Sequence, residues 1–220
     1  MWYYSSLMNR IGRLIIPVLL AVLLSGCQDH RAENTSLLSP ELEQEEYDVY
    51  SFLVNDRSDS ENDPITIISD STVPVHFIDL PYGYSHSNIF RTRYYIPGFD
   101  GKIYIAEIGE DTLADFEQKN QHPSLLDYKF NIKEKYLLFS HEEYMDMDPL
   151  GPFWFKFDSR YPNSSGILSY SRVGFNCTRD KAIVYESWGA GSTAGSGRII
   201  LLIKVNGVWT LKNGVLLWIS

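Results

Sequence analysis

The chain has 220 residues, 44% of them hydrophobic and 14% aromatic, with a formal net charge of −9. That length suits one domain with a sizeable core. The acidic balance, with no Lys/Arg block or basic stripe, leaves the phosphate-neutralising attraction of nucleic-acid binding without a source, so no nucleic-acid partner is expected.

Arg10 and Arg13 give a positively charged start, and LIIPVLLAVLL, residues 14 to 24, an uncharged apolar stretch of signal-peptide length. A bilayer span needs about 20 apolar residues, and Pro17 interrupts a long helix. A signal peptide is therefore expected rather than a membrane anchor. The run Leu24, Ser25, Gly26, Cys27 behind it resembles the lipobox of bacterial lipoproteins. That resemblance implies that the Cys27 thiolate takes a diacylglyceryl group and that the bond between Gly26 and Cys27 is cut. It also implies that the new amino terminus carries a fatty acid such as palmitate. Two or three chains hold far more tightly than one, because each buried CH₂ adds about 0.8 kcal/mol. In Gram-negative lipoproteins an Asp after the lipidated Cys favours the inner membrane; Gln28 stands here, so the resemblance implies an outer-membrane protein facing the periplasm. The expected organisation is a lipoprotein signal peptide (1–26), a polar flexible tether (27–39) and one globular domain (40–220). Cys177 is then the one remaining cysteine. The sequence identifies no partner that would activate it, and it reads as a small buried residue outside any internal disulfide.

A first helix is expected from Ser39 as N-cap, with Pro40 and Glu41 in its first turn and Leu42, Val49, Tyr50 and Leu53 along one face. The carboxylates Glu43, Glu45, Glu46 and Asp48 read as a solvated face in preference to a cation site. ITIISDSTVPVHFIDL suggests strand, and RTRYYIPGFDGKIYIAEI extended chain with a turn at Phe99, Asp100 and Gly101. Thr112 as N-cap with Asp115 three residues on predicts a short helix ending near Asn120, ahead of Pro123.

The segment KYLLFSHEEYMDMDPLGPFWFKFDSRYP holds the best polar cluster. HExxH fails there because Met145 stands where a second His is needed. An EF-hand loop from Asp146 has Asp148 and Gly151 in register, but Leu150 and Phe157 occupy its fifth and twelfth positions. The histidines, at 30, 76, 86, 122 and 141, show no ligand spacing, so neither a metal nor another cofactor is expected. Asp148 reads instead as the cap of a helix with Pro149 first and Phe153, Trp154, Phe157 and Tyr161 on its apolar face.

From Gly166 the pattern is strand. GILSYSRVGF alternates Ile167, Ser169, Ser171, Val173 and Phe175 against a mixed face; AIVYESW follows, and RIILLIKV, apolar on both faces, belongs in the middle of a sheet. Asn206-Gly207 predicts a type I′ hairpin, and Asn213-Gly214 a second hairpin or a bulge. GAGSTAGSG, from Gly189 to Gly197, lacks the Lys-Ser/Thr of a P-loop and centres Thr193 where a hydrolase elbow has Ser, so it reads as a flexible hairpin connection. The fold expected is α+β, a carboxy-terminal antiparallel meander packed against a few helices.

The segments DFEQKN, RYPNSSGILSYSRVGFN, KAIVYES, LLIKVNGVWTL and LLWIS resemble an uncharacterised family of bacterial secreted and lipoprotein domains. Members of that family carry cysteines in the segment matching 189–197, where this chain has none, and the resemblance implies no catalytic residue. Two classes of function follow. One is a lipid-anchored, non-enzymatic domain that binds an envelope protein, a toxin or a glycan, in an immunity or envelope-maintenance role, with its aromatic residues as anchors. The other is a periplasmic hydrolase using the region of His141, Glu142, Glu143 and Asp146.

Overall fold

The computed structural model of the protein describes residues 41–57, 65–75, 89–91 and 102–220. Cys27, the signal segment, the tether, the expected cap at Ser39 and the expected turn at 99–101 lie outside these residues. All described residues fall within one compact unit, Leu38–Ser220.

The fold is α+β, and its centre follows from the turn chemistry. Asn206 and Gly207 take φ of 53° and 81°, the two left-handed residues a type I′ turn needs. They join β8 (Ala194–Val205) to β9 (Val208–Ile219). Asn213-Gly214 makes no second hairpin: Leu201 pairs Asn213 while Leu202 pairs Leu211, so Lys212 is the extra residue of a bulge. On its other side β8 pairs antiparallel with β7 (Lys181–Gly191), and β7 with β5 (Ser164–Tyr170). Ile199, Ile200, Leu201 and Leu202 are all buried, as a central strand covered on both faces requires. Beyond β5 the direction changes. β1 (Ile65–Ser69) lies parallel between β5 and β4 (Tyr136–Phe139), giving the order β4-β1-β5-β7-β8-β9 with β6 (Gly174–Phe175) paired to β7. β2 (Ile89–Arg91) and β3 (Lys102–Tyr104) form a separate antiparallel ribbon.

Five helices are described: α1 (Gln44–Arg57), α2 (Ile105–Ile108), α3 (Glu110–Lys119), α4 (His141–Asp146) and α5 (Phe153–Arg160). Strand alternation sends Val184, Ile200 and Leu202 to one sheet face, where Tyr50 and Leu53 of α1 cover them. Ile183, Ile199, Leu201 and Val215 point the other way, against Ile108 of α2 and Phe116 of α3. Further along, at the parallel end, Phe153 and Phe157 of α5 cover Ile67 and Phe139.

A buried ion pair ties α1 to the sheet. Glu46 accepts from Arg172 Nε at 2.9 Å and Nη2 at 2.7 Å, and from the Val173 and Glu43 backbone N–H groups at 3.1 and 3.0 Å. Both side chains are essentially inaccessible, so Glu46 is not on a solvated face. Its neighbours are taken as well: Glu43 and Glu45 meet Arg179, and Glu45 also Lys204. The turn of Arg172 inward ends β5 at Tyr170, breaking the expected run from Ile167 to Phe175 before β6.

Several other boundaries differ from expectation. Residues 105–108 are helical rather than extended. α3 begins behind Gly109, not Thr112; Thr112 Oγ1 donates back to Ile108 O at 2.9 Å, and Asp115 accepts from the Phe175 N–H at 2.8 Å, so both are spent elsewhere. The helix does end at Asn120. Asp148 caps nothing: it takes φ of 57° in a turn closed by the Gly151 N–H, and α5 starts behind Pro152. α4 was not anticipated, although Ser140 and Glu143 form a full capping box around its start. The Gly-rich segment is mostly strand, with a turn only at 192–193.

Candidate functional site

Between the second and third apolar clusters a cleft of about 360 Å³ opens onto the sheet. Its floor is one row of cross-strand neighbours: Ser169 pairs Ser187, Ser187 pairs Gly197 and Gly197 pairs Trp218. Small side chains there leave the depth that large ones fill elsewhere. Trp154 of α5 and Trp218 of β9 form the walls, and the Gly-rich strands make room for both. A Cβ on Gly189 would sit 3.4 Å from Trp154 Cη2, and one on Gly197 only 2.1 Å from Trp218 Nε1. Trp218 Nε1 donates to Tyr185 Oη at 3.0 Å, which fixes the indole and leaves ring carbon for the cleft. Trp188 joins the rim, but its indole packs against the α1-side cluster and donates to Ser165 O at 2.8 Å.

The polar end lies where β1 and β4, in parallel register, finish side by side at Ser69 and Phe139. Open sheets present ligand crevices beyond the carboxyl ends of parallel strands. Asp70 follows directly. Its N–H donates to Phe139 O at 3.0 Å, its carbonyl accepts from the Leu126 N–H at 2.7 Å, and its carboxylate accepts from the His141 N–H. Burial holds the Asp70 carboxyl above the usual range, against the pull of that N–H and of the His141 ring. His141, the first residue of α4, stacks on Tyr144 at 6.2 Å, and Tyr144 leans on Phe153 at 5.1 Å, which closes the rim.

Of the four candidates for the hydrolase reading, His141, Glu142, Glu143 and Asp146, His141 alone lines the cleft. Glu143 is committed elsewhere: its carboxylate accepts from Tyr161 Oη at 2.6 Å and the Ser140 N–H at 3.2 Å, with Arg160 at 3.8 Å. Partial burial works against its charge, but those partners hold the carboxyl below its ordinary value, and burial together with Glu143 pushes Tyr161 up to about 12. Glu142 and Asp146 are exposed and line nothing. Cys177 is exposed rather than buried, because it sits in the turn between β6 and β7 with its N–H donating to Asp111 at 3.1 Å. His122 is exposed, and His30, His76 and His86 lie outside the described residues. Among the described residues no group of three or more His, Cys, Asp or Glu is placed to hold a metal ion.

Set against protein-family models, curated proteins and solved structures, the chain matches none of them. The fold gives the segments DFEQKN and SRVGFN a structural role instead. Asn120 accepts from the Arg172 N–H at 2.8 Å and donates to the Phe116 and Arg172 carbonyls, while Asn176 closes the following turn through the Asp180 and Lys181 N–H groups. Asp70, Ser169, Ser187 and Trp218 were missed as site residues. The signals available were Asp directly behind a β-branched strand and a serine within each of two largely apolar strand segments, GILSY and AIVYESW.

Proposed function

We propose that this chain is a lipid-anchored protein of the bacterial envelope whose domain binds a small molecule in the cleft between Trp154 and Trp218. What carries the reading is the convergence of Asp70, His141 and the serine floor in one aromatic-walled cleft, the usual form of a ligand site. Anchoring rests on LSGC at 24–27, and Gln28 supports the outer membrane facing the periplasm. Among the described residues no helix is long and apolar enough to cross a membrane. A compound screen read by thermal shift on the detergent-solubilised full chain tests the binding reading. A ligand at 100-fold its Kd adds about 2.7 kcal/mol, several degrees in midpoint, and Ser187→Phe, which fills the floor, should abolish the shift. Shifts that persist in Ser187→Phe would refute the cleft. Cys27→Ser should lose palmitate labelling and leave the membrane fraction; retention of both would refute the anchor.

A hydrolytic reading has one observation in its favour: the cleft brings His141 together with a carboxylate, that of Asp70 rather than Glu142, Glu143 or Asp146. Turnover of ester or glycoside substrates that is lost in His141→Ala would move the protein into that class.

A further inference from the structure

We infer that the cleft takes a neutral saccharide, either a single sugar ring or the end of a short glycan, and holds it without cleaving it. The inference rests on the ligand-binding reading above and narrows it to a chemical class. A sugar ring has two kinds of surface: faces of weakly positive C–H groups, and an edge of hydroxyls that each donate and accept. The cleft offers a counterpart to each. Trp154 and Trp218 supply indole surface, whose negative π density suits C–H groups, and Trp218 has its own N–H engaged by Tyr185. Ser169 on β5, directly opposite Ser187 on β7, supplies a hydroxyl that donates as well as accepts. Ser187, which donates to Tyr185, supplies an acceptor oxygen, and Asp70 supplies a strong acceptor.

Charge narrows the class further. The described lining residues include no Lys or Arg, and Asp70 is their one carboxylate. A phosphate, sulfate or uronate would therefore meet the repulsion of Asp70, with the His141 ring as the one lining group able to carry a positive charge. A quaternary ammonium would suit the aromatic walls and Asp70 but would offer no acceptor to the Ser169 hydroxyl. A volume near 360 Å³ stands at the small end of ligand sites, which run from about 300 to 1,000 Å³, and admits a short occupant only. Retention without cleavage follows from the count of acids. Glycoside hydrolysis in its usual form needs two carboxyl groups flanking the bond, whereas Glu143, the nearby second acid, is held by Tyr161, Ser140 and Arg160.

The test uses the full chain in a zwitterionic detergent without a sugar headgroup. The probes are glucose, galactose, N-acetylglucosamine and its disaccharide, with glucuronate, choline and cyclohexanol as counter-probes. Saturation-transfer NMR reads contact with ring C–H protons, and tryptophan fluorescence gives the Kd. At least one neutral sugar should bind, with glucuronate, choline and cyclohexanol at least tenfold weaker. Asp70→Asn should weaken the sugar by about 10- to 100-fold, the loss of a charged acceptor. Trp154→Ala should weaken it about tenfold while Trp154→Phe keeps most of the affinity, each variant first shown to unfold at its parent's midpoint within a few degrees. The disaccharide should remain intact on prolonged incubation. Choline or cyclohexanol binding as well as the sugars, or no sugar binding while screen compounds still shift the parent but not Ser187→Phe, would overturn the saccharide inference and leave the cleft as a ligand site. If no compound of any class binds in the cleft, the broader reading falls with it. Release of monosaccharide would overturn retention alone.

Discussion

Glu46, fully buried, and Asp70, half-buried, are carboxylates with opposite arrangements. Glu46 is fully paired, with every lone pair directed at Arg172 or a backbone N–H. Removing its charge leaves the Arg172 guanidinium uncompensated in the core, so Glu46→Gln should cost about 3–5 kcal/mol in urea unfolding; a loss under 1 kcal/mol would show that water reaches the pair. Asp70 is held above the usual carboxyl range because burial disfavours its charge. A raised folded value means that the folded chain holds the proton more tightly than the unfolded one, so the stability this group contributes is present below its unfolded value and lost as pH rises through the folded one. Asp70→Asn should therefore raise the unfolding midpoint at pH 7 and change it little near pH 3, as measured by calorimetry; the reverse pattern would mean that the carboxylate is stabilised by folding. Glu46 was misread in the sequence for a plain reason. Helical spacing assigns a residue to a face, but its partner Arg172 lies 126 positions away and nothing local announces it.

Among the elements, the legible ones are those that local chemistry dictates. Asn206-Gly207 names its turn because only left-handed backbone closes it, and RIILLIKV names a central strand because both faces are apolar. α4 is written as plainly, in the Ser140-x-x-Glu143 spacing of its capping box, which overlaps the start of the failed HExxH pattern. The parallel pairing of β1 with β4 and β5 has no local mark, and the polar end of the cleft, which depends on it, was invisible for that reason. Two glycines separate conformation from space. At Gly207 an added Cβ meets nothing within 4 Å but the backbone stays left-handed, so Gly207→Ala should cost about 1–2 kcal/mol. At Gly174, whose φ is not positive, a Cβ would lie 2.4 Å from Phe116 Cβ and 2.7 Å from the Thr112 carbonyl, so Gly174→Ala must shift α3 from the sheet. It should cost about 1–3 kcal/mol or more. Chemical denaturation should show the larger loss at Gly174, and a loss there smaller than at Gly207 would contradict this account.

For the molecule as a whole, the acidic composition and the α+β class were legible. The ligand cleft was not, because it belongs to no single element: it is the space left where α5 and the α2–α3 pair share one sheet face. The strand order has a consequence for time. β7, β8 and β9 follow one another through short turns and can zip locally, whereas Ile67 of β1 must find Leu137 and Ile167, 70 and 100 positions downstream. Closing such long loops is the slow step of folding. A chain made amino terminus first exposes β1 early and must keep it waiting until both of its neighbours have emerged. During that interval ITIIS is a β-prone apolar segment with two open edges, which other chains can join. Pulse-labelled hydrogen exchange during refolding should find the amides of β8 and β9 protected before those of β1, and protection of β1 first would reverse the order. Maturation of the cleft is thus set by the last strand to insert, so whatever delays β1 delays the polar end at Asp70 with it.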